Sequence, residues 1–233
     1  MVSSLLKNAH SSCYLCHQAS NILLCRCCQQ DWPSLQAQSL CQRDLLQDSS
    51  LIAGLVPPSY HSLHVLGEFA WPINILVSRL KFNRNLVCAE LLSTQFIRYS
   101  PQLPGASPDV IIPMPLSPLR YMQRGFNQCT ELGHYLSRHY GIPLAPLLRK
   151  NKHTQRQSSR KRDERHTLPL DTYEYCGPAY EHVILLDDVV TTGATLHRAA
   201  SAISKVSPDT LISVWCMGIA LSDAHTPKQL HKR

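Results

Sequence analysis

The stretch at residues 182–195 constrains the fold of this chain more than any other. It reads His-Val-Ile-Leu-Leu-Asp-Asp-Val-Val-Thr-Thr-Gly-Ala-Thr. Its apolar residues 183–186 predict a buried strand of a parallel sheet. Two carboxylates, Asp187 and Asp188, are expected at the end of that strand, and residues 191–195 are expected to open a helix. A strand that leads directly into a helix is typical of an α/β fold.

The same stretch predicts a site for a phosphorylated sugar. Unpaired N–H groups and the positive end of the helix dipole favour phosphate at a helix start. Gly193 lets the backbone approach a ligand, and the neighbouring threonine hydroxyls add donors without adding charge. The two carboxylates would repel a phosphate alone, so we expect them to bind sugar hydroxyls or a divalent cation shared with the phosphates. An ordinary strand–helix turn capped by Asp and Thr is the alternative.

This stretch resembles the PRPP-binding motif of type I phosphoribosyltransferases, in which apolar residues precede two acids and a Thr-Thr-Gly-x-Thr turn. The resemblance implies that Asp187 and Asp188, the catalytic candidates, contact the ribose hydroxyls of PRPP and the associated Mg²⁺. It also implies that the turn surrounds the 5′-phosphate. The residues of that turn are Thr191, Thr192, Gly193, Ala194 and Thr195.

Further strands and helices are predicted to alternate along the chain. Strands are expected at residues 62–69, 110–112, 144–148 and 211–217, as judged by apolar runs and alternation. Helices are expected at 73–99, with a pause near 81–85, and at 125–140. This order predicts an α/β fold with a mostly parallel sheet flanked by helices.

The N-terminal cysteines predict a structural zinc site. Two C-x2-C pairs are separated by eight residues, a spacing that lets two tight turns complete a tetrahedral four-thiolate shell. The predicted ligands are Cys13, Cys16, Cys25 and Cys28. Cys27, Cys41 and His17 remain alternative ligands, and a set of redox-active or buried thiols is the alternative function.

Three segments are predicted. Residues 1–57 would form the zinc-finger module with a following helix at 32–55, and the Pro-Pro pair at 57–58 would mark its boundary. Residues 58–221 would form the larger α/β domain, and residues 222–233 a polar tail. No run of 18 apolar residues and no apolar signal region occur, so a cytoplasmic protein without a membrane span is expected.

Positive charge is concentrated in one part of the chain. The protein carries 23 Lys and Arg against 16 Asp and Glu, a net charge of +7. Residues 149–166 alone hold eight Lys and Arg and two acids. Such a segment predicts a polyanionic partner, for which PRPP, pyrophosphate and nucleic acid all qualify.

The order of the motifs resembles the competence protein ComF family, which includes the GntX-type DNA-utilisation proteins. The additional motifs are Leu-Lys-Phe-Asn at 80–83, Ile-Pro-Met-Pro-Leu at 112–116 and Gln-Arg-Gly-Phe-Asn-Gln at 123–128. The resemblance covers roughly residues 13–217. It implies a four-cysteine zinc finger before a type I phosphoribosyltransferase-like domain.

This resemblance also implies roles for two segments and several cationic residues. Residues 115–120 would form the pyrophosphate loop and residues 149–166 the hood over the site. Lys81, Arg124 and the hood residue Arg165 would neutralise pyrophosphate. Leu168 occupies the position of the usual hood Asn, a departure that concerns hood closure more than PRPP binding.

The function that this sequence favours is a competence or DNA-utilisation role, with binding of PRPP–Mg²⁺ and of single-stranded DNA during uptake or processing of external DNA. The DNA-uptake machinery is the implied protein partner. One alternative is an active phosphoribosyltransferase of nucleotide metabolism, for which the sequence identifies no acceptor pocket. The other is a PRPP-sensing regulator without catalysis.

Overall fold

The structure is a computed structural model of the chain. It describes residues 12–32, 40, 43–48, 54–99, 107–151 and 172–220. Several predictions lie outside these residues and remain predictions. They concern Cys41, the hood with Arg165 and Leu168, and the polar tail.

Helices and strands alternate in chain order, as expected for an α/β protein. The helices are α1 (Arg26–Asp31), α2 (Ile73–Asn83), α3 (Val87–Tyr99), α4 (Pro118–Arg124), α5 (Gln128–Tyr140) and α6 (Ala194–Val206), with a 3₁₀ turn at Leu45–Gln47. The strands are β1 (Ser62–Val65), β2 (Val110–Pro113), β3 (Leu148–Lys150), β4 (Tyr173–Tyr175), β5 (His182–Val190) and β6 (Leu211–Ile219).

Four strands form a parallel sheet in the order β1-β6-β5-β2. β5 lies in the middle, with Leu186 opposite Pro113 of β2 and Trp215 of β6. β3 and β4 form a separate antiparallel hairpin. The prediction of an α/β fold with a mostly parallel sheet flanked by helices is confirmed.

Both faces of the sheet are covered by buried side chains. Alternate residues of a strand point to opposite faces, so Ile184 and Leu186 of β5 join one apolar cluster and Val183 and Leu185 the other. The first cluster contains residues of α2, α3 and α5, and the second contains residues of α6 and the hairpin. The central strand is therefore apolar on both faces, which explains its continuous apolar run.

The boundaries of the main strand–helix unit differ from the prediction. Asp187 and Asp188 lie inside β5, because the ladder with β6 continues to the pair Val190–Ile219. α6 begins at Ala194, not at Thr191, since the three preceding residues form the turn.

Three other element predictions were wrong in detail. Of the described residues in the helix expected at 32–55, Leu40 is helical, but Trp32 is the C-cap of α1 and Leu45–Gln47 form a 3₁₀ turn. Half of the expected pyrophosphate loop is helical, because α4 begins at Pro118. The strand expected at 144–148 is reduced to one bridge between Leu144 and Ile111, and β3 begins only at Leu148.

The cysteine-rich segment packs on the helical face of the larger domain. Trp32 and Leu24 are buried in the same cluster as residues of α2 and α3. Arg98 of α3 donates to Gln29 of α1 at 2.6 Å. Among the described residues, no helix has the length and apolar character needed to cross a bilayer.

Candidate functional site

A polar cleft opens at the carboxyl ends of β2 and β5. This is the edge at which open parallel sheets bind ligands. Its volume is about 570 Å³. The charged side chains that line it are Lys81, Arg84, Arg120, Arg124, Lys150, Asp187 and Asp188. Five cations thus face two carboxylates, a balance that favours an anionic ligand.

Asp187 lines the cleft, and hydrogen bonds fix the position of one of its carboxylate oxygens. Its Oδ1 accepts a hydrogen bond from the backbone N–H of Asp188 at 2.8 Å and one from the Cys129 thiol at 3.4 Å. The pKa of Asp187 is raised to about 7, mainly by burial and in second place by the negative charge of Asp188. Burial and the adjacent carboxylates also raise the pKa of the Cys129 thiol, so that group stays a protonated donor.

Asp188 is buried and pairs with a cation from another element. The Nζ atom of Lys81, near the end of α2, lies 2.8 Å from its Oδ2. A buried carboxylate without a counter-charge is strongly disfavoured, so Lys81 explains how Asp188 is tolerated there. The family-derived role of Lys81 in contacting pyrophosphate stays a prediction, while its position on the cleft is now established.

The turn before α6 has the backbone conformation that its glycine permits. Gly193 is the N-cap of α6 with φ of +71° and gives no side-chain cap. The hydroxyl of Thr192 approaches the N–H of Ala194 at 3.4 Å. Thr191, Thr192 and Thr195 are exposed, and Thr195 lines the cleft. The first turn of α6 holds no acidic residue, which leaves its N-terminus suited to phosphate.

Arg124 ends α4 and faces the cleft. Its guanidinium donates to Gln128 at the start of α5 and lies 5.9 Å from the centre of the Phe82 ring. Asn127 caps α5 through the N–H of Cys129 and donates to the carbonyl of Met114 at 2.9 Å. The motif at 123–128 therefore joins two helices to the end of β2.

Three further cations line the cleft: Arg120 belongs to the expected pyrophosphate loop and Lys150 to the expected hood, whereas Arg84 was not assigned to the site from the sequence. Arg84 follows α2 in a left-handed conformation, with φ of +52°, and its guanidinium approaches the carbonyl of Gln123. Arg120 lies on α4, and Lys150 ends β3. The signal that could have placed Arg120 on a helix is Ser-Pro at 117–118, since Ser117 caps α4 and Pro118 occupies its first turn.

The four predicted zinc ligands meet at one point. Their Sγ atoms all lie within 4.8 Å of one another, and those of Cys16 and Cys25 are 3.6 Å apart. A tetrahedral site with Zn–S bonds of 2.3 Å requires Sγ–Sγ distances of about 3.8 Å. The thiols of Cys25 and Cys28, and not that of the exposed Cys27, join Cys13 and Cys16 in this cluster.

Hydrogen bonds prepare these thiols for a metal. The N–H of Cys25 donates to Cys13 Sγ, and that of Cys28 donates to Cys25 Sγ, each at 3.4 Å. Burial raises the pKa of the Cys13 thiol, but backbone hydrogen bonds, chiefly from Cys16 and Cys25, outweigh it and lower the pKa to about 6. The cluster can therefore hold a structural metal such as zinc.

The cysteine cluster and the cleft are linked through one tyrosine. The hydroxyl of Tyr14, next to Cys13, accepts a hydrogen bond from Asn85 at 2.7 Å and lies 3.1 Å from the Cys88 sulfur. Asn85 immediately follows Arg84 of the cleft. The corner between α2 and α3 thus contacts both sites.

Comparison with known proteins decides the family. The protein named competence protein F of Haemophilus influenzae is 32% identical over 170 residues, which are 68% of this chain and 72% of that protein. The chain belongs to the ComF family. DNA utilization protein YhgH of Escherichia coli strain K12 is 26% identical over 216 residues, 88% of each chain. Competence protein ComFC of Bacillus subtilis is 35% identical over 147 residues, 58% of each chain. No family model matches the sequence.

The cleft of this ComF-family chain brings together residues that lie far apart in the sequence. Lys81, Arg124, Asp187, Asp188 and Thr195 all line it. The four clustered cysteines form a second candidate site, and Tyr14 beside Cys13 contacts Asn85 at the α2–α3 corner. Membership of the family was expected from the motifs and is confirmed.

Proposed function

We propose that this ComF-family protein binds PRPP with Mg²⁺ in the cleft and binds single-stranded DNA, in the uptake or use of external DNA. The observation that carries the proposal is the cleft itself. It combines two adjacent carboxylates, five cations and the N-terminal turn of a helix. A sugar that carries phosphate and diphosphate groups needs all three features.

The carboxylates suit a divalent cation shared with the phosphates. Burial and mutual repulsion raise the pKa of Asp187, and a neighbouring Mg²⁺ would relieve both effects. Bound Mg²⁺ would supply positive charge against the phosphate oxygens. Asp187 and Asp188 would hold the ribose hydroxyls and the ion, with Lys81 fixing the position of Asp188.

The cations of the cleft have different roles in this proposal. The guanidinium of Arg124, oriented by Gln128, suits the oxygens of a diphosphate. Arg84 and Lys150 add charge from two other sides of the cleft. The exposed hydroxyls near the start of α6 would bind the 5′-phosphate together with free backbone N–H groups.

Relatives and charge support the DNA part of the proposal. Three similar proteins are named for competence or DNA utilisation. Residues 149–166 carry most of the net charge of the chain, and electrostatic attraction dominates non-specific binding to nucleic acid. The proposal therefore assigns this protein to the same process.

Calorimetric titration of PRPP in the presence of MgCl₂ tests the cleft. The double variant Asp187→Asn, Asp188→Asn should lose measurable binding, because both the ion and the ribose lose their ligands. The control is Glu181→Gln, which changes an exposed carboxylate just before the opposite end of β5, and this variant should bind as the wild type does. Unchanged affinity in the double variant would refute the assigned site.

Fluorescence anisotropy with a labelled single-stranded oligonucleotide tests the DNA part. Affinity should fall steeply as salt rises, because bound phosphates release counterions. Absence of binding at low salt would rule this part out. Pyrophosphate release, followed in the same mixtures with and without the oligonucleotide, separates a transferase from a protein that binds PRPP only.

A further inference from the structure

The geometry points to the outer face of α2 as the track on which single-stranded nucleic acid stacks its bases. We define the α2 track as Trp71, Ile75, Arg79 and Phe82. The inference rests on the proposed function and deepens it, since it names the residues that contact the bases. None of these residues is a predicted ligand of PRPP or zinc.

Helical spacing places three of these side chains on one stripe. Residues 79 and 82 lie four and seven positions after residue 75, which puts them on the same face of α2. Trp71 directly precedes Pro72, the N-cap of the helix, and extends the track beyond its start. The opposite stripe, with Ile73, Leu76, Val77 and Leu80, is buried in the core. At a rise of 1.5 Å per residue, the helical part of the track from Ile75 to Phe82 is about 10 Å long, enough for several bases.

The track exposes an unusual amount of aromatic surface. Phe82 is 76% exposed and Trp71 51% exposed. Large aromatic side chains are ordinarily buried because their transfer from water is favourable. A shallow groove of about 370 Å³ lies beside Phe82 and is lined by Ile75, Arg79 and Phe82.

The charge around the track suits a polyanion. Residues 69–89 contain no Asp or Glu. Arg79 lies on the track, with its guanidinium 5.3 Å from the centre of the Tyr14 ring, and Arg84 lines the adjoining cleft. Exposed aromatic rings next to cations, without acids, are the combination that binds single strands by stacking and by contact with phosphates. An apolar peptide partner would gain little from these cations, and a basic one would be repelled.

The track is continuous with the cleft. Phe82 lines both the groove and the cleft, and the Arg124 guanidinium lies 5.9 Å from its ring centre. A strand stacked on Trp71 and Phe82 would therefore direct one end toward the carboxylates and cations of the PRPP site. The proposed PRPP and DNA sites would then adjoin one another at Phe82.

Tryptophan fluorescence offers a direct readout. The chain has three tryptophans, and Trp32 and Trp215 are buried, so quenching by an added oligonucleotide reports on Trp71. We expect unlabelled oligo(dT) to quench the wild type, and Trp71→Phe to lose the quenching while it binds within twofold of the wild-type affinity, because the aromatic ring is retained.

Anisotropy with fluorescein-labelled oligo(dT) measures the contribution of stacking. Trp71→Ala and Phe82→Ala should each weaken binding about fivefold or more. Tyr121→Ala is the matched control, since Tyr121 is an aromatic residue 53% exposed on α4 and outside the track, and it should bind as the wild type does. With an abasic strand of the same length, all four proteins should bind equally.

The outcomes separate this inference from the proposed function. If the wild type does not bind oligo(dT), the DNA part of the function fails and the track fails with it. If the wild type binds but both alanine variants match it, only the track is overturned. PRPP titration of Trp71→Ala should match the wild type, and thermal unfolding of each variant confirms that the protein is folded.

Discussion

Asp187 is a carboxylate whose ionised form is disfavoured by burial and by a neighbouring negative charge. Burial and Asp188 raise its pKa to about 7, whereas a free Asp has a pKa near 4. Between these values the folded protein binds a proton that the unfolded chain has lost. The contribution of Asp187 to stability is thus fully present below about pH 4 and is lost as pH rises through about 7. The ionised carboxylate therefore costs stability, which is consistent with its proposed role in ligand binding.

The variant Asp187→Asn should reveal this cost. Asn keeps an oxygen acceptor for the N–H of Asp188 but carries no charge. Its free energy of unfolding relative to the wild type should increase between pH 4 and pH 7, by at least about 1 kcal/mol, and stay constant above pH 8. Urea unfolding at several pH values measures the difference. A difference that does not vary with pH would show that Asp187 does not titrate in this range.

The turn between β5 and α6 is the element on which the proposed phosphate site depends. Gly193 has φ of +71°, and a Cβ added there would lie 3.4 Å from the hydroxyl of the buried Tyr60. The carbonyl of Thr192 accepts a hydrogen bond from the N–H of Val56 at 2.8 Å. Residues 55–60 therefore contact one side of the turn. The exposed side chains of Thr191 and Thr192 face solvent.

Replacement of Gly193 by Ala should therefore affect both stability and binding. A left-handed Ala costs about 1–2 kcal/mol, and displacement of the turn should weaken PRPP binding as well. Gly141→Ala is the matched control, because Gly141 has φ of +70° at the end of α5 and open space around its Cβ position. Thermal unfolding and calorimetry should show similar destabilisation of the two variants but reduced affinity only for Gly193→Ala.

Elements differ in how far the sequence predicts them. Apolar periodicity was sufficient for α2 and α3, because each buries one continuous stripe. α4 buries no residue, so no periodicity marks it, and only its capping residues could have done so. Arg84 reaches the cleft from the end of α2 through tertiary packing, which local sequence does not encode.

At the scale of the whole molecule, the metal cluster and the core are one buried unit. Cys13, Cys28 and Trp32 belong to the same apolar cluster as Leu76 and Phe96. The boundary predicted at residue 57 stays a prediction, but burial is continuous across the two parts. Zinc bound to the cluster would stabilise the entire fold by mass action and not only the finger.

Removal of the metal should therefore lower the melting temperature of the protein in a single transition. Cys16→Ser should have the same effect, because it removes one of four ligands. Cys27→Ser is the control, since Cys27 is exposed and outside the cluster, and it should retain one zinc per chain by elemental analysis. Two separate calorimetric transitions after metal removal would show that the parts unfold independently.

The β3–β4 hairpin has a consequence for how the basic segment acts. Lys150 pairs with Tyr173, and the N–H of Asn151 donates to the carbonyl of Thr172 at 2.9 Å. Both ends of residues 152–171 are thereby fixed side by side, and Lys150 and Tyr173 themselves line the cleft. Because these two attachment points adjoin the cleft, the proposed action of the intervening cations on a bound polyanion would be intramolecular and would not depend on the amount of protein.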